Sequence, residues 1–427
     1  MSPTKDTLNT LYLTAVKAAH PASCLPPFLP APPPSGRMII LAGGKAAGSM
    51  AHVAEEIYTQ RYGLDEKRLC GLAITRIGYA EPTRLIRMIE AGHPLPNEAG
   101  LQGTQDILAL ARSATAQDQV LVLLSGGAPA NWIAPVKGLS LADKQSVTRA
   151  LLRSGAPIDA MNTVRKRLSA IKGGRLCVAA YPAPVTTLAI SDIPGDDPTH
   201  LGSGPTVPDT TTQAEALAIL DRYAITLPAH IKALLDDPAN DTPKADHPAF
   251  AASRFALIAR PADGVKAAAS QARSLGYEIM DLGADLEGEA REVAQAHAAL
   301  ALKAAAEGRK LAILSGGELT VTMKGNGRGG PGQEYALALA LALNGHPQIV
   351  AVAGDTDGTD GGSGKPDDPA GAFVFPDTLA RAKALGVDAQ ERLADNDSTG
   401  FFETIGDLLC PGPTGTNIND IRVILVG

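Results

Sequence analysis

The sequence predicts an α/β protein of two domains, and three observations carry that prediction. Short apolar runs end in glycine turns that open into helical periodicity. Residues 38–41 lead into Gly43-Gly44-Lys45 and a helix from Ala46, 120–124 into Ser125-Gly126-Gly127, and 188–190 into Ser191-Asp192. Strands alternating with helical patterns argue for parallel pairing through crossover helices. A polar, Pro-rich stretch over 236–249 interrupts the pattern before it resumes, which marks a domain boundary. The length of 427 residues agrees with two or three domains at roughly 100–200 residues each. The expected domains are 1–240 and 250–427.

Each element has a local reason. Over 5–19, Leu8, Leu11, Leu13, Val16 and Ala19 fall near helical spacing, and 21–36 is Pro-rich and irregular. Ser140 with Asp143 forms a capping box pattern and Gly155 a stop. Asp159 opens the next helix, with Met161, Val164, Leu168 and Ile171 inward and Gly173-Gly174 at its end. Beyond the boundary, 255–259 reads as a strand, 264–275 as a helix, 277–281 as a strand and 287–307 as a long Ala-rich helix. Strands are also expected over 311–314, ending at Ser315-Gly316-Gly317, and over 319–323, 349–353 and 421–426. The runs 121–127 and 311–317 are nearly the same motif, which leaves both a shared turn and chance open.

Apolar residues make up 45% of the chain, enough for sizeable cores. The net charge is −7 and no dense Lys/Arg stripe occurs, so no nucleic-acid partner is expected. The most basic stretch, 165–175, is short and lies on a candidate helix. Four scattered cysteines without C-x-x-C spacing argue against a disulfide framework or zinc site, and for a reducing compartment. No apolar run approaches ~18 residues or resembles a signal peptide, so a cytoplasmic protein without a membrane partner is expected. The oligomeric state stays open, a homodimer included.

Five loops can carry chemistry. Gly43-Gly44-Lys45 lies at a strand-to-helix turn, where backbone amides and the helix N-terminus favour an anion and Lys45 adds a full charge. It is not a Walker A loop, because Ile39 stands where the first glycine belongs and Ala46 where Ser or Thr would hold magnesium. Asp192, next to a strand end, can hold magnesium or accept a hydroxyl proton, whereas Asp196 and Asp197 read as turn residues. The loop holding Gly325, Gly327, Arg328, Gly329 and Gly330 is costly in backbone entropy unless something must approach closely. Its arginine can grip phosphate or carboxylate through a fork, and Glu334 follows. Asp355, Asp357 and Asp360 alternate with small residues after a strand, which suits magnesium or a polyol. The loop over 412–417 offers hydroxyls and amides that could line a site, though on its own a plain turn is the stronger reading. The same residues leave a second reading alive. Gly325, Gly327 and Gly330 fit G-x-G-x-x-G, with Asp355 further on, as in a dinucleotide-dependent reductase. A non-catalytic sugar- or nucleotide-binding module would explain the loops but not the Lys, Arg and Asp together.

Taken in order, the segments 42–51, 124–127, 162–176, 191–198, 202–209, 315–322, 327–330, 333–334, 355–361 and 412–420 resemble those of glycerate 2-kinases. Some members of that family carry the name hydroxypyruvate reductase. The resemblance spans nearly the whole chain. It implies an N-terminal Rossmann-like, doubly wound domain, a C-terminal MOFRL-type α/β domain and an active-site cleft between them. It also implies ATP, magnesium, D-glycerate as acceptor and 2-phosphoglycerate as product. The family's lysine falls on Lys45 and its glycine-loop arginine on Arg328. With these roles, Ser125, Gly126, Gly127, Ser315, Gly316 and Gly317 are expected to cradle anions, and Asp192 or Asp355, Asp357 and Asp360 to hold the metal. The chain departs from the family at Ala128-Pro129-Ala130, where Gly-Ser-Ala is usual, and at Gly332, where Asn is usual.

Overall fold

A computed structural model describes residues 4–362 and 365–427. The chain divides into two compact units. One comprises Leu25–Ala189 and Asp196–Ile258, and the other the segment ending at Cys24 together with Ile190–Gly195 and Ala259–Gly427.

The first unit is built on six strands: β1 (Met38–Gly43), β2 (Leu69–Arg76), β3 (Ile86–Ala91), β4 (Gln119–Leu124), β5 (Val185–Ile190) and β6 (Arg254–Ala259). Their order is β3-β2-β1-β4-β5-β6. β1 pairs in parallel with both β2 and β4, with Met38 opposite Leu69 on one side and Gln119 on the other. β1 is buried at every position, as expected of a central strand in a covered parallel sheet. The order reverses between β1 and β4, so their carboxyl ends form a topological switch point, the usual place for a ligand in such sheets. Helices inserted after β4 and β5 make a separate small core of Val147, Leu151, Val164, Leu168, Leu220 and Ile231. The Ser140–Asp143 capping box forms as the sequence implies.

Two features move the expected boundaries. β6 belongs to this first sheet, so the second unit starts near Ala259 and not at 250. The polar run over 236–249 is a connection within the unit, tied down where Arg167 Nε donates to Asp241 Oδ1 at 3.0 Å. The opening helix Lys5–Ala19 packs with the C-terminal unit, its Leu8, Leu11, Tyr12 and Ala15 joining a core that includes Val265, Ile421 and Val423.

The second sheet contains β7 (Glu278–Asp281), β8 (Leu311–Gly317), β9 (Ile349–Asp355), β10 (Gly371–Val374), β11 (Leu408–Leu409) and β12 (Asp420–Val426), in the order β11-β10-β9-β12-β8-β7. Here wholly parallel pairing fails: β7 and β8 are parallel, but β12 runs antiparallel to both β8 and β9. The helix Pro331–Leu343 carries the chain from β8 to β9 in the same direction and leaves a one-strand gap. The last strand of the chain fills that gap from the other end. β10 also returns antiparallel, because no crossover helix separates it from β9. On this sheet the helices Ala290–Ala306 and Pro331–Leu343 share a core rich in alanine, and His297 Nδ1 lies 2.8 Å from the Tyr335 hydroxyl. The strand expected over 319–323 is absent; only a single bridge, Glu289 to Thr320, forms there.

Candidate active site

In the first unit, the turns after β1 and β4 meet at the switch point. Gly44 has φ +117°, and a Cβ there would overlap the carbonyl and hydroxyl oxygens of Ser125. Only glycine accommodates both demands. Lys45 N donates to Gly126 O at 2.7 Å and Ser125 N to Gly43 O at 3.1 Å. The turn thus sets Lys45 just before the helix Ala47–Gln60, whose dipole favours an anion at that end. The Lys45 stem and His93 flank Gly127; a Cβ on that glycine would lie 3.0 Å from Lys45 Cγ and 3.1 Å from His93 Cδ2.

Two residues expected to touch a ligand here have structural work instead. The Ser125 hydroxyl is fully buried and accepts from Ala46 N at 2.9 Å, stapling one turn to the other. Gly43 makes room for the Trp132 indole, whose Nε1 donates to Ala42 O at 3.2 Å. Of the expected set in these two turns, Lys45 and Gly127 are only half-buried, while Gly44 and Gly126 are buried. Lys144 and Arg165, to which no sequence motif assigns a role, line a cavity beside His93 and Gly127.

In the C-terminal unit, Asp192 is the best-placed carboxylate. Asn417 Nδ2 donates to Asp192 Oδ2 at 2.8 Å and Asn419 Nδ2 to its carbonyl at 2.7 Å. The 412–417 loop, for which a plain turn sufficed, therefore leads directly into the pair that orients Asp192. Asp355 is half-buried, and its Oδ1 accepts from Asp357 N at 2.9 Å. Asp357 in turn holds Thr359 through its backbone and hydroxyl, at 2.8 and 3.1 Å.

Asp360 departs from the metal-ligand expectation. Its carboxylate accepts from Gly332 N at 3.2 Å and Gln333 N at 2.7 Å, capping the helix Pro331–Leu343. Gly332, where the family usually has Asn, lies against this carboxylate. Burial, and then the charge of Asp420, push the Asp360 carboxyl well above the ordinary carboxylate range. A folded-state value above the unfolded 3.8 gives stability that is full below that pH and is lost as pH rises through the folded value. Asp360→Asn is accordingly expected to flatten the fall of stability towards alkaline pH, read from chemical denaturation at several pH values. An unchanged pH slope would show that Asp360 does not hold its proton.

The glycine loop is dictated by packing. A Cβ on Gly325, Gly327, Gly329 or Gly330 would overlap Asp395, Asp397, Ser398 or Asp360 respectively. Lys324 N and Gly325 N donate to Asn396 Oδ1, Gly327 N to Asp395 O, and Arg328 N to Asp397 Oδ1. No strand leads into the loop, and these amides are already bonded. The dinucleotide reading of Gly325, Gly327 and Gly330 therefore lacks its structural context. Arg328 itself is exposed, with Nη2 2.7 Å from Glu403 Oε2. Glu334 is not a ligand-facing group. It is buried, 2.6 Å from Arg291 Nε, and accepts from Asn396 Nδ2.

The second Ser-Gly-Gly is likewise not an anion-cradling turn. Ser315, Gly316 and Gly317 stay in β8, paired across to Arg422, Ile421 and Asp420 of β12. Fully buried Arg422 donates to Ser315 Oγ at 3.0 Å and to the Gly316 and Gly317 carbonyls at 2.6 and 3.0 Å, and reaches Asp420 Oδ2 at 3.1 Å. Arg422→Met is expected to cost about 3 kcal/mol of stability, because it removes a buried donor shared by Asp420, Ser315 and the Gly317 carbonyl. Thermal or urea unfolding checks this; a change under about 1 kcal/mol would rule out that role.

Residues 7–236 match a family model described as a domain of unknown function, DUF4147, and residues 311–420 match the MOFRL family. An Agrobacterium vitis protein whose name carries the words hydroxypyruvate reductase is 43% identical over 99% of this chain and 94% of its own length. The D-glycerate 2-kinase of Thermotoga maritima is 38% identical over 91% of each chain. The crystal structure of glycerate kinase from Thermotoga maritima superposes with a TM-score of 0.85 at 35% identity, over 98% of both chains. Two matched domains in the order read from the sequence, and similarity along the full length to kinases of glycerate, lead to one statement: the chain belongs to the glycerate 2-kinase family.

Proposed function

We propose that this protein transfers the γ-phosphoryl group of ATP to the C2 hydroxyl of D-glycerate, releasing ADP and 2-phosphoglycerate. The observation that supports the reading most is Lys45 at the switch point, on a turn that Gly44 and Ser125 fix against its neighbour at a helix N-terminus. Phosphoryl transfer asks for positioning and charge neutralisation more than for covalent chemistry. Lys45 neutralises charge on the phosphoryl group in flight. The C2 oxygen forms the new bond to phosphorus while the bond to the β,γ-bridging oxygen breaks, and that oxygen leaves on ADP. Asp192, oriented by Asn417, accepts the hydroxyl proton. Arg328 grips the acceptor carboxylate once it leaves Glu403, an exchange between exposed partners that costs little.

Magnesium fits this chain as a passenger of the nucleotide. Among the described residues, no three His, Cys, Asp or Glu side chains are arranged as a metal cage. The ion usually takes one or two carboxylates together with phosphate oxygens. With Asp192 taking the proton, Asp355 would supply a hard oxygen donor of that kind, and the bound ion would neutralise phosphate charge. Among the described residues, no helix is long and apolar enough to cross a membrane.

The test is a coupled assay of purified protein with D-glycerate and Mg-ATP, run beside hydroxypyruvate with NADH or NADPH. ADP release with 2-phosphoglycerate as product supports the kinase. Nicotinamide oxidation without ADP release would overturn it, and 3-phosphoglycerate as product would overturn the assigned hydroxyl.

A further inference from the structure

Within the first unit, the basic run over 165–175 sorts into two kinds of residue. Lys166 pairs with Asp209 at 3.3 Å, and Arg167 with Asp241 at 3.0 Å. Arg175 donates to a row of carbonyls, including that of Lys166. Arg165 and Lys172 have no such carboxylate, and neither does Lys144 from the neighbouring helix. Among the described residues, Lys144 Nζ reaches only Leu168 O at 3.4 Å, and Lys172 Nζ only Pro129 O at 3.3 Å. Arg165 Nε is buried without a hydrogen-bond partner. Burial, and then the facing charges of Arg165 and Arg175, pull Lys144 down to about 7. Burial and the charges of Arg165 and Lys144 also hold Lys172 well below its ordinary range. Burial thus drives both lysines towards the neutral amine beside an Arg165 guanidinium with no carboxylate partner, and an anion within reach of all three would favour their charged forms.

Lys144 and Arg165 line a cavity of about 730 Å³ that also holds His93 and Gly127, and so reaches the turn carrying Lys45. Its other wall is apolar: Pro94, Leu95, Ile133 and Leu152, with Leu95 80% and Leu152 62% exposed. The volume far exceeds what a three-carbon acid needs and falls in the range of nucleotide-sized pockets. A basic floor with an apolar lip suits a ligand that is anionic at one end and aromatic at the other.

We infer that this cavity is the ATP subsite, with the base against Leu95, Ile133 and Leu152 and the phosphates over Arg165 and Lys144, leading towards Lys45. The inference rests on the kinase reading and names the place of its nucleotide. Pro129, where the family usually has Ser, lines the same cavity.

The experiment measures binding of the non-hydrolysable analogue AMP-PNP with Mg²⁺ by calorimetry, on wild type, Arg165→Met and Leu152→Asp, with thermal unfolding and both KM values alongside. Arg165→Met is expected to weaken AMP-PNP about 30-fold or more and to raise KM for ATP while leaving KM for D-glycerate unchanged. Its melting temperature without ligand should hold or rise, since a buried unpaired charge is removed; a residue that only supports the fold would lower it. Leu152→Asp, at an exposed position, should also weaken the analogue. Wild-type affinity in both variants overturns the inference and leaves the kinase intact, and so does a rise confined to KM for D-glycerate. Failure of the wild type itself to bind AMP-PNP overturns the kinase reading and this inference together.

Discussion

Lys45→Ala is expected to lower kcat about a thousandfold without disturbing the fold, the size of loss seen when a preorganised charge-stabilising group is removed. The separation of activity from stability follows from the geometry. The turn is held by backbone and Ser125: Lys45 N to Gly126 O, Ser125 N to Gly43 O, and Ala46 N to Ser125 Oγ. None of these bonds uses the lysine side chain. Steady-state kinetics with thermal unfolding of the same preparation reads both quantities. Near-normal kcat would remove Lys45 from the chemistry, and a large fall in melting temperature would recast it as structural. Lys45→Arg keeps the charge but changes its shape and reach, so partial activity in that variant is the expected companion result.

Asp192→Asn is expected to reduce kcat about a hundred- to a thousandfold, because the amide keeps the size of the carboxylate and loses its capacity to take a proton. Asn417 Nδ2 and Asn419 Nδ2 hold the side chain and the backbone of Asp192, so the acid is aimed before substrate arrives. Asn417→Ala should then give a smaller loss than Asp192→Asn, with kcat and not KM affected first. If Asp192→Asn retains most of its activity, the residue is a turn former and another carboxylate must accept the proton. Asp355 would be the next to test, being half-buried at the end of β9.

Much of the first sheet was legible because its signals are local. β1 and β4 are unbroken apolar runs, each closed by a glycine turn, and Ser140 and Asp143 form their box over three residues of spacing. The second unit was read less well. Residues 319–323 have strand-like composition, but no neighbouring strand accepts them, and only Thr320 finds a bridge. The near-identical runs ending in Ser-Gly-Gly diverge for a similar reason. One ends beside an open turn, whereas β12 continues the pairing of the other through Gly317.

The glycine loop shows the limit most clearly. Its composition implied a backbone that something approaches closely, and that holds. The approaching group is the chain itself, Asp395, Asp397 and Ser398, about seventy residues away. Lys144 and Arg165 were missed because nothing in a sequence says which members of a basic run keep a carboxylate partner. Lys166 and Arg167 find Asp209 and Asp241 only once the chain has folded.

By itself the sequence determined the α/β class, the two-domain plan, the family, and the place of Lys45 and Asp192 at strand ends. These depend on periodicity, turn chemistry and motif order, all of which act over a few residues. Only the tertiary structure decided that β6 belongs to the first sheet, that β12 runs antiparallel in the second, and that Asp360, Glu334 and Ser125 serve the fold. Those outcomes turn on which buried polar group finds which partner. A buried carboxylate or hydroxyl must be satisfied by whatever donor the fold brings to it, and that donor is set by pairing across the sheet and not by spacing along the chain.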